Sequence, residues 1–208
     1  MLATKLGKFS VALGLWVLVF NTCRAAESDT NTNTFQLTTI KEPMLGREPV
    51  VRAYATCGTK KFTFVVPEGF RLDASNPEAV LLVSQDFGSF ITLRVATTTS
   101  GAKAAEAPTY RESILHRFAE TQILDEFTLT AAGASGPAFD LRGKTPEGVT
   151  RNSRVAYISC GGRVLEFCLV ASPEKFGPSQ SELNSIMQTF RASEVGEKTE
   201  VATLSDHI

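Results

Sequence analysis

The chain has 208 residues, 43% of them hydrophobic, and 21 Lys and Arg against 22 Asp and Glu give a formal net charge of −1. This balance, with the basic residues scattered along the chain, excludes the basic surface of a nucleic-acid-binding protein. The length is that of one domain, which commonly spans about 100–200 residues.

The first 25 residues are predicted to be a secretory signal peptide. Lys5 and Lys8 precede an uncharged apolar run at residues 9–20, and residues 23–25 (CRA) offer a small-x-small cleavage site. Such a run is typical of a signal peptide and is shorter than the ~20 residues that span a bilayer. Cleavage after Ala25 removes three basic residues, which gives a mature net charge of −1 − 3 = −4. An uncleaved N-terminal anchor is the alternative.

Two further segments are predicted to lie outside the core. Residues 26–56 are interpreted as a polar N-terminal linker, which begins with a stretch rich in Thr, Asn and Ser, and residues 194–208 as a disordered acidic tail. Such segments have too few apolar side chains to offset the entropy lost on ordering. Residues 57–193 then form a single domain.

The first half of this domain shows strand patterns followed by a helix. Residues 62–66 alternate and end at a Pro-Glu-Gly turn, and residues 79–84 and 90–96 are short β-rich runs separated by a plausible hairpin loop. After Pro108, Thr109 and Glu112 suggest a capping box. An apolar face at helical spacing follows, comprising Tyr110, Ile114, Leu115 and Phe118.

The second half returns to strands at residues 124–129 and 138–141 and then predicts a hairpin of residues 149–160 and 163–171. Gly161 and Gly162 suit its tight turn. With a two-residue loop, Cys160 faces Arg163 and Cys168 faces Val155, so the two cysteines lie on opposite faces and about 16 Å apart along the strand. We therefore predict no Cys160–Cys168 disulfide, which needs a Cα separation below ~7 Å.

The third cysteine of the mature chain leaves two alternatives open. Cys57 could form a disulfide with one of the hairpin cysteines, since exported proteins can hold disulfides. Otherwise all three cysteines are reduced, and two of them act as small apolar residues.

The last element is a helix, again with a predicted capping box, at Ser179 and Glu182. Its apolar stripe predicts packing against the sheet and consists of Leu183, Ile186, Met187 and Phe190. Two amphipathic helices and six or seven strands joined mostly by hairpins indicate an α+β domain with an antiparallel sheet.

This order of elements resembles the PsbP family and its relatives, the Mog-type Ran-binding proteins and the bacterial DcrB-like exported proteins. The resemblance covers residues 57–193 and rests on V-P-E-G-F at residues 66–70, G-S-F at 88–90, the run RNSRVAYIS at 151–159 and T-F-R at 189–191. Phe70 departs from the Trp that is most frequent at its position in the family. The resemblance implies an αβα sandwich, with a central, largely antiparallel sheet flanked by helices, and a docking or assembly role without chemistry.

Two groups of residues are candidates for a catalytic or metal site. His116 lies between Glu112 and Glu120 at helical spacing, which could bind a metal or tune a base, but it points away from the apolar face and is interpreted as solvated. A Cys–His nucleophilic pair would need Cys57, Cys160 or Cys168 near His116, and no local signature supports one.

Two other patterns also do not predict a site. Residues 143–145 (GKT) resemble the end of a phosphate-binding loop, but that motif needs a glycine at position 138, which is alanine, so Arg142 and Lys144 are interpreted as solvated charges. Asp125, Glu126 and Asp140 could serve glycoside chemistry only if two of them converged in a cleft. We predict no catalytic, cofactor-binding or metal-binding residues and no cofactor.

The sequence thus predicts a secreted, non-enzymatic PsbP/Mog-like module for protein binding or assembly. Its partner would be another protein or a small ligand, with no nucleic acid and at most peripheral membrane contact. The location would be periplasmic or extracellular. The alternatives are an extrinsic lumenal photosystem II-type subunit, located in the thylakoid lumen, and an exported hydrolase with an unrecognised site.

Overall fold

A computed structural model describes residues 34–96, 107–117, 119–160 and 162–196, and in these it contains two antiparallel sheets and two helices. The elements in chain order are β1 (Phe35–Met44), β2 (Arg47–Cys57), β3 (Lys60–Val65), β4 (Phe70–Asp73), β5 (Ala79–Ser84), β6 (Ser89–Val95), α1 (Ala107–Leu115), β7 (Ala119–Ala131), β8 (Ala134–Lys144), β9 (Thr150–Cys160), β10 (Arg163–Ala171), α2 (Pro173–Thr189) and β11 (Arg191–Glu194). No helix of this described part is long and apolar enough to cross a membrane.

The strands form a four-stranded sheet in the order β1-β2-β3-β11 and a seven-stranded sheet in the order β4-β5-β6-β10-β9-β8-β7. The predicted αβα sandwich with one helix-flanked central sheet is therefore wrong: the described chain is mostly β, with two antiparallel sheets and two helices. The physical reason is that far more of the chain has a period-2 burial pattern than the sequence reading assigned to strands.

The main core contains residues from both sheets together with α2. Phe190, which follows α2, is fully buried. Its ring stacks on Phe62 and Phe64 of the small sheet, with centroid distances of 5.7 and 6.3 Å, and meets Phe167 of the large sheet edge-on at 5.1 Å. The predicted burial of the α2 stripe is confirmed, since Leu183, Ile186 and Met187 are also buried.

A second, smaller core lies on the other face of the large sheet, against α1. Tyr110 and Ile114 of the helix are buried there, as the sequence predicted, whereas Leu115 is partly exposed. The cluster is completed by side chains of β8, β9 and β10, namely Phe139, Leu141, Val155, Tyr157 and Cys168.

The predicted hairpin is confirmed. β9 and β10 pair in the register in which Arg163 faces Cys160, Phe167 faces Ala156 and Cys168 faces Val155. The strands predicted at residues 62–66, 79–84 and 90–96 are also present as β3, β5 and β6.

Both predicted capping boxes are wrong. α2 begins at Pro173 after the N-cap Ser172, so Ser179 lies inside the helix and is buried. Gly177 and Pro178 are unfavourable in a helix interior, and for that reason the sequence pattern placed the helix start after them. α1 likewise begins at Ala107, two residues before Thr109.

A linker is predicted at residues 26–56, but residues 35–56 form β1 and most of β2. Small apolar side chains at Ala53, Ala55 and Cys57 are fully buried and alternate with larger polar ones, a period-2 pattern that an estimate based on composition overlooks. The predicted acidic tail starts inside β11, at Glu194. The predicted signal peptide, the rest of the tail from residue 197 and Phe118 lie outside the described residues.

Candidate functional site

A buried ion cluster lies at the edge of the smaller core. Glu166 of β10 is only 3% exposed and pairs in register with Arg94 of β6. Arg94 donates to both of its carboxylate oxygens, from Nε to Oε1 at 2.9 Å and from Nη2 to Oε2 at 3.1 Å. Arg117, just after α1, donates from Nη2 to Oε2 at 2.6 Å. The carboxylate is thus held by two guanidinium groups that come from different parts of the chain.

The titration of this cluster follows from its surroundings. Burial by itself raises the pKa of Glu166, but Arg117 and Arg94 outweigh it, so the pKa lies below its usual range. The pKa of Tyr157, the neighbour of Glu166 across the hairpin, is raised by burial and by the carboxylate charge. Burial also raises the pKa of Cys168, which keeps its thiol protonated and unreactive.

These contacts fix α1 to the sheet. The Arg117–Glu166 ion pair attaches the chain at the end of the helix, while Tyr110 in the helix stacks on Tyr157 with a ring-centroid distance of 4.1 Å. Glu166 is fixed as an anion by two partners, and the neighbouring tyrosine and thiol stay protonated. The cluster therefore has the chemistry of a structural clamp, and it contains no activated nucleophile or free base.

His116 is exposed at the end of α1 and does not share a helical face with its two predicted neighbours. The helix ends at Leu115, and Glu120 lies in β7. The Glu120 carboxylate forms an ion pair with Lys144 at 2.7 Å. The described residues contain no group of three or more His, Cys, Asp and Glu side chains that could hold a metal.

The remaining predicted candidates do not form a common site. β8 ends at Lys144, and Thr145 begins the turn that leads to β9, so no helix N-terminus follows them. Asp125 and Asp140 do face each other in register across β7 and β8. Both oxygens of Asp140, however, accept hydrogen bonds from Arg154, at 2.7 and 2.8 Å. Glu126 is bonded to Arg111 at 2.6 Å.

The three described cysteines are buried, and no disulfide joins any two of them. Cys160 and Cys168 belong to different cores, in agreement with the predicted hairpin faces. Cys57 lies at the end of β2, where Arg163 Nη1 is 3.3 Å from its sulfur. Burial raises the pKa of Cys57 and Cys160, so neither thiol is activated as a nucleophile.

A cleft of about 280 Å³ opens where β11 passes the ends of β7 and β9. Its lining includes Ser159, Cys160 and Ser193 together with Lys60 and Glu194, which form an ion pair. Most of the lining side chains are small, and the two charged groups neutralise each other. The cleft therefore offers room for a small polar group but no excess charge to attract one.

Among the large apolar side chains that the structure describes, Leu45 is the most exposed, and it lies in a hairpin arm, residues 40–51 of β1 and β2. β3 pairs with β2 only from Arg52 onward, so the arm extends as two strands beyond the four-stranded sheet. Leu45 at its turn is 105% exposed, and Ile40 and Met44 are 49% and 43% exposed. Gly46 completes the turn with a φ of +69°, a value that favours glycine.

The arm has its own internal support. Glu42 accepts two hydrogen bonds from Arg52 Nε, at 2.8 and 2.9 Å, and one from the Tyr54 hydroxyl at 3.0 Å. The bond from Arg52 lowers the pKa of Glu42, although burial opposes this effect, so the carboxylate stays charged. The arm is thus braced at its base and presents an ordered apolar tip.

Sequence reasoning missed both features. The arm lies within the predicted polar linker, although the sequence KEPMLGREPV places Met-Leu-Gly between two Glu-Pro pairs, a turn signal with apolar residues. For the clamp, the signal was Glu166 itself, a charged residue in the middle of the apolar strand VLEFCLVA. A charge in such a strand needs a buried partner.

No protein-family model matches the chain, and no curated protein matches it. The chain is similar to the solution structure of the cyanobacterial PsbP protein CyanoP from Synechocystis, with 10% identity, a TM-score of 0.47 and coverage of 81% of this chain and 98% of that one. The similarity to PA94 of Pseudomonas aeruginosa, a protein of unknown function and putative regulator, has 14% identity, a TM-score of 0.41 and coverage of 61% and 88%.

A third similar structure is LpqN of Mycobacterium tuberculosis, which is involved in cell envelope biogenesis. It shows 14% identity, a TM-score of 0.39 and coverage of 77% of this chain and 92% of that one. At these identities the similarity concerns the fold alone. A PsbP protein, of the family that the sequence resembles, is among these structures.

Proposed function

We propose that this protein is an exported, non-enzymatic module that binds another protein through the arm of residues 40–51. The observation that carries the proposal is the fully exposed Leu45 beside Met44 at the tip of an ordered, projecting hairpin. Exposed apolar groups that the fold holds in place are typical of interaction sites.

The partner is a protein with an apolar cleft that admits a hairpin turn. The arm carries Lys41 and Arg47 against Glu42 and Glu48 in sequence, so it has no net charge to attract an anionic membrane surface. Pro43 flanks the tip and restricts the backbone there, which lowers the entropy lost on binding. A neutral apolar tip with a mixed-charge base suits a protein cleft with a polar rim.

The experiment compares three forms of the protein as recovered from the producing cell: wild type, Leu45→Ser, and Leu124→Ser as the matched control. Leu124 is 48% exposed on β7, far from the arm in sequence. Proteins crosslinked to the wild type are identified, purified and titrated against each form.

Complete burial of a leucine contributes about 1.5–3 kcal/mol, so Leu45→Ser should weaken binding about tenfold or more, whereas Leu124→Ser should leave it unchanged. Equal binding by the wild type and Leu45→Ser would contradict the proposal. So would cosedimentation with anionic phospholipid vesicles that depends on Leu45 in the absence of any protein partner.

A further inference from the structure

The edges of the two sheets differ in how open they are to a further strand. β4 and β11 have only four residues each. β7 has 13 residues, but it carries Glu120, Asp125 and Glu126 and its register with β8 breaks twice. Short strands, charges and bulges are the features that protect sheet edges from pairing. Residues 35–40 of β1 (FQLTTI) contain no charge and no bulge, and β1 is ten residues long. Within the described residues, no strand pairs with the outer side of β1.

The direction of the backbone groups of β1 follows from its neighbours. Val66 donates its N–H to the Val51 carbonyl at 2.8 Å, so the odd-numbered residues of β2 bond to β3 and the even-numbered ones bond to β1. The partners of these even-numbered residues in β1 are residues 36, 38 and 40. Because backbone groups alternate in direction along a strand, the N–H and C=O of residues 37, 39 and 41 point away from the sheet.

Both ends of this open edge are bounded. At one end Phe35 donates its outward N–H to the carbonyl of Pro77 at 2.6 Å. At the other end Pro43 interrupts the strand, and the register with β2 shifts. Residues 37–41 are therefore the segment available to an incoming strand, and any contact made there is short.

We propose that two copies of this chain pair through residues 37–41 of β1, antiparallel about a two-fold axis at Thr39. In this register Leu37 of each copy faces Lys41 of the other, and Thr39 faces Thr39. The three outward-facing residues of each copy would then exchange about six main-chain hydrogen bonds, two for each facing pair. The two four-stranded sheets would become one continuous sheet.

Charge complementarity favours a second copy as the occupant. Lys41 lies two residues beyond Thr39, and in the pair its side chain comes to the end of β1 where Phe35 is bonded to Pro77. The exposed Glu78 follows Pro77 directly. Each copy thus brings one ammonium group towards one carboxylate of the other, and the two-fold axis makes both contacts at once.

The arrangement is closed, because each copy uses the one edge that is unprotected among its described strands, so it ends at a dimer. A contact of five residues a side buries much less surface than the roughly 1,200 Å² buried in stable interfaces, so the dimer is weak and reversible. The paired residues share Ile40 and Lys41 with the arm, whereas Leu45 at its turn lies outside them. The Leu45 variants and the Thr39 variants therefore test different residues.

A single cysteine tests the register directly. Facing residues in a hydrogen-bonded antiparallel pair have Cα atoms about 5.5 Å apart, inside the range of about 4.4–6.8 Å for disulfides. Thr39→Cys is compared with Thr128→Cys, which places an exposed thiol on the protected edge of β7. In both, Cys23 is replaced by serine, and the three described native cysteines are buried.

A second pair of variants tests the main-chain contact. Thr39→Pro removes an outward-pointing N–H without removing a bond to β2, whereas Thr39→Val keeps that N–H. Sedimentation equilibrium over a wide range of protein concentration measures the self-association of both, and thermal unfolding verifies that they are folded.

We expect Thr39→Cys to form a covalent dimer under mild oxidation at least tenfold faster than Thr128→Cys. Thr39→Val should self-associate like the wild type, and Thr39→Pro should be monomeric. Equal crosslinking rates of the two cysteine variants, or self-association of folded Thr39→Pro equal to that of Thr39→Val, would overturn the proposal. If Thr39→Pro does not fold, the cysteine comparison decides alone.

Discussion

Replacing Phe190 by alanine should destabilise the protein strongly, because this one ring joins the two sheets. Its side chain is fully buried and contacts Phe62 and Phe64 of the small sheet and Phe167 of the large sheet. Truncation of a buried phenylalanine typically costs about 3–5 kcal/mol. Three aromatic neighbours from two sheets leave little freedom for the site to collapse, so we expect a cost in the upper half of that range.

Urea denaturation followed by circular dichroism measures this cost. With a slope of about 2 kcal/mol per molar urea, a loss of about 4 kcal/mol lowers the midpoint by about 2 M. Leu124→Ala is the control, since its side chain is half exposed on β7, and surface changes usually stay within about 0.5 kcal/mol. A midpoint for Phe190→Ala within 0.3 M of the wild type (about 0.6 kcal/mol at that slope) would show that α2 does not join the sheets as described.

Three further outcomes follow. Glu166→Gln should cost about 3–5 kcal/mol at pH 7, because it leaves two guanidinium groups without their buried anion. Since the folded-state pKa of Glu166 is depressed, its contribution is complete above the unfolded pKa of about 4.3 and is lost as the pH falls through the folded pKa. The difference in unfolding free energy between the wild type and the variant should therefore be smaller at pH 3 than at pH 7, and an equal difference at both would contradict this. His116→Gln should leave the melting temperature and partner binding unchanged, because the side chain is exposed; a loss of either would reveal a site there. N-terminal sequencing of the native protein should begin near Ala26, and an intact Met1 would refute the predicted cleavage.

The sequence predicted those elements whose signals are local. The two glycines at residues 161–162 determined the β9–β10 register, and the spacing of Leu183, Ile186 and Met187 identified the buried side of α2. The start of α2 could not be found in this way, because Gly177 and Pro178 argue locally against a helix. The burial of Phe176 and Ser179 against the rest of the fold stabilises those first turns.

The layer arrangement and the arm depend on contacts between distant parts of the chain. Ala53 and Ala55 are weak strand formers on their own. Their strand is held by pairing with β1 and β3 on either side, and their side chains are buried in the main core. The clamp at Glu166 of β10 likewise joins Arg94 of β6 and Arg117, which follows α1. A charged residue in an apolar strand signals that a buried partner exists, but the sequence does not say which arginine it is.

Binding through the arm is tested most directly by the affinity of a purified partner for the wild type and for Leu45→Ser, measured by isothermal titration. Leu45→Ser should weaken binding about tenfold or more, from the loss of at least about 1.5 kcal/mol of apolar burial, while Leu124→Ser should bind like the wild type. Equal affinity of all three forms for the partner would contradict the assignment of the arm as the binding site.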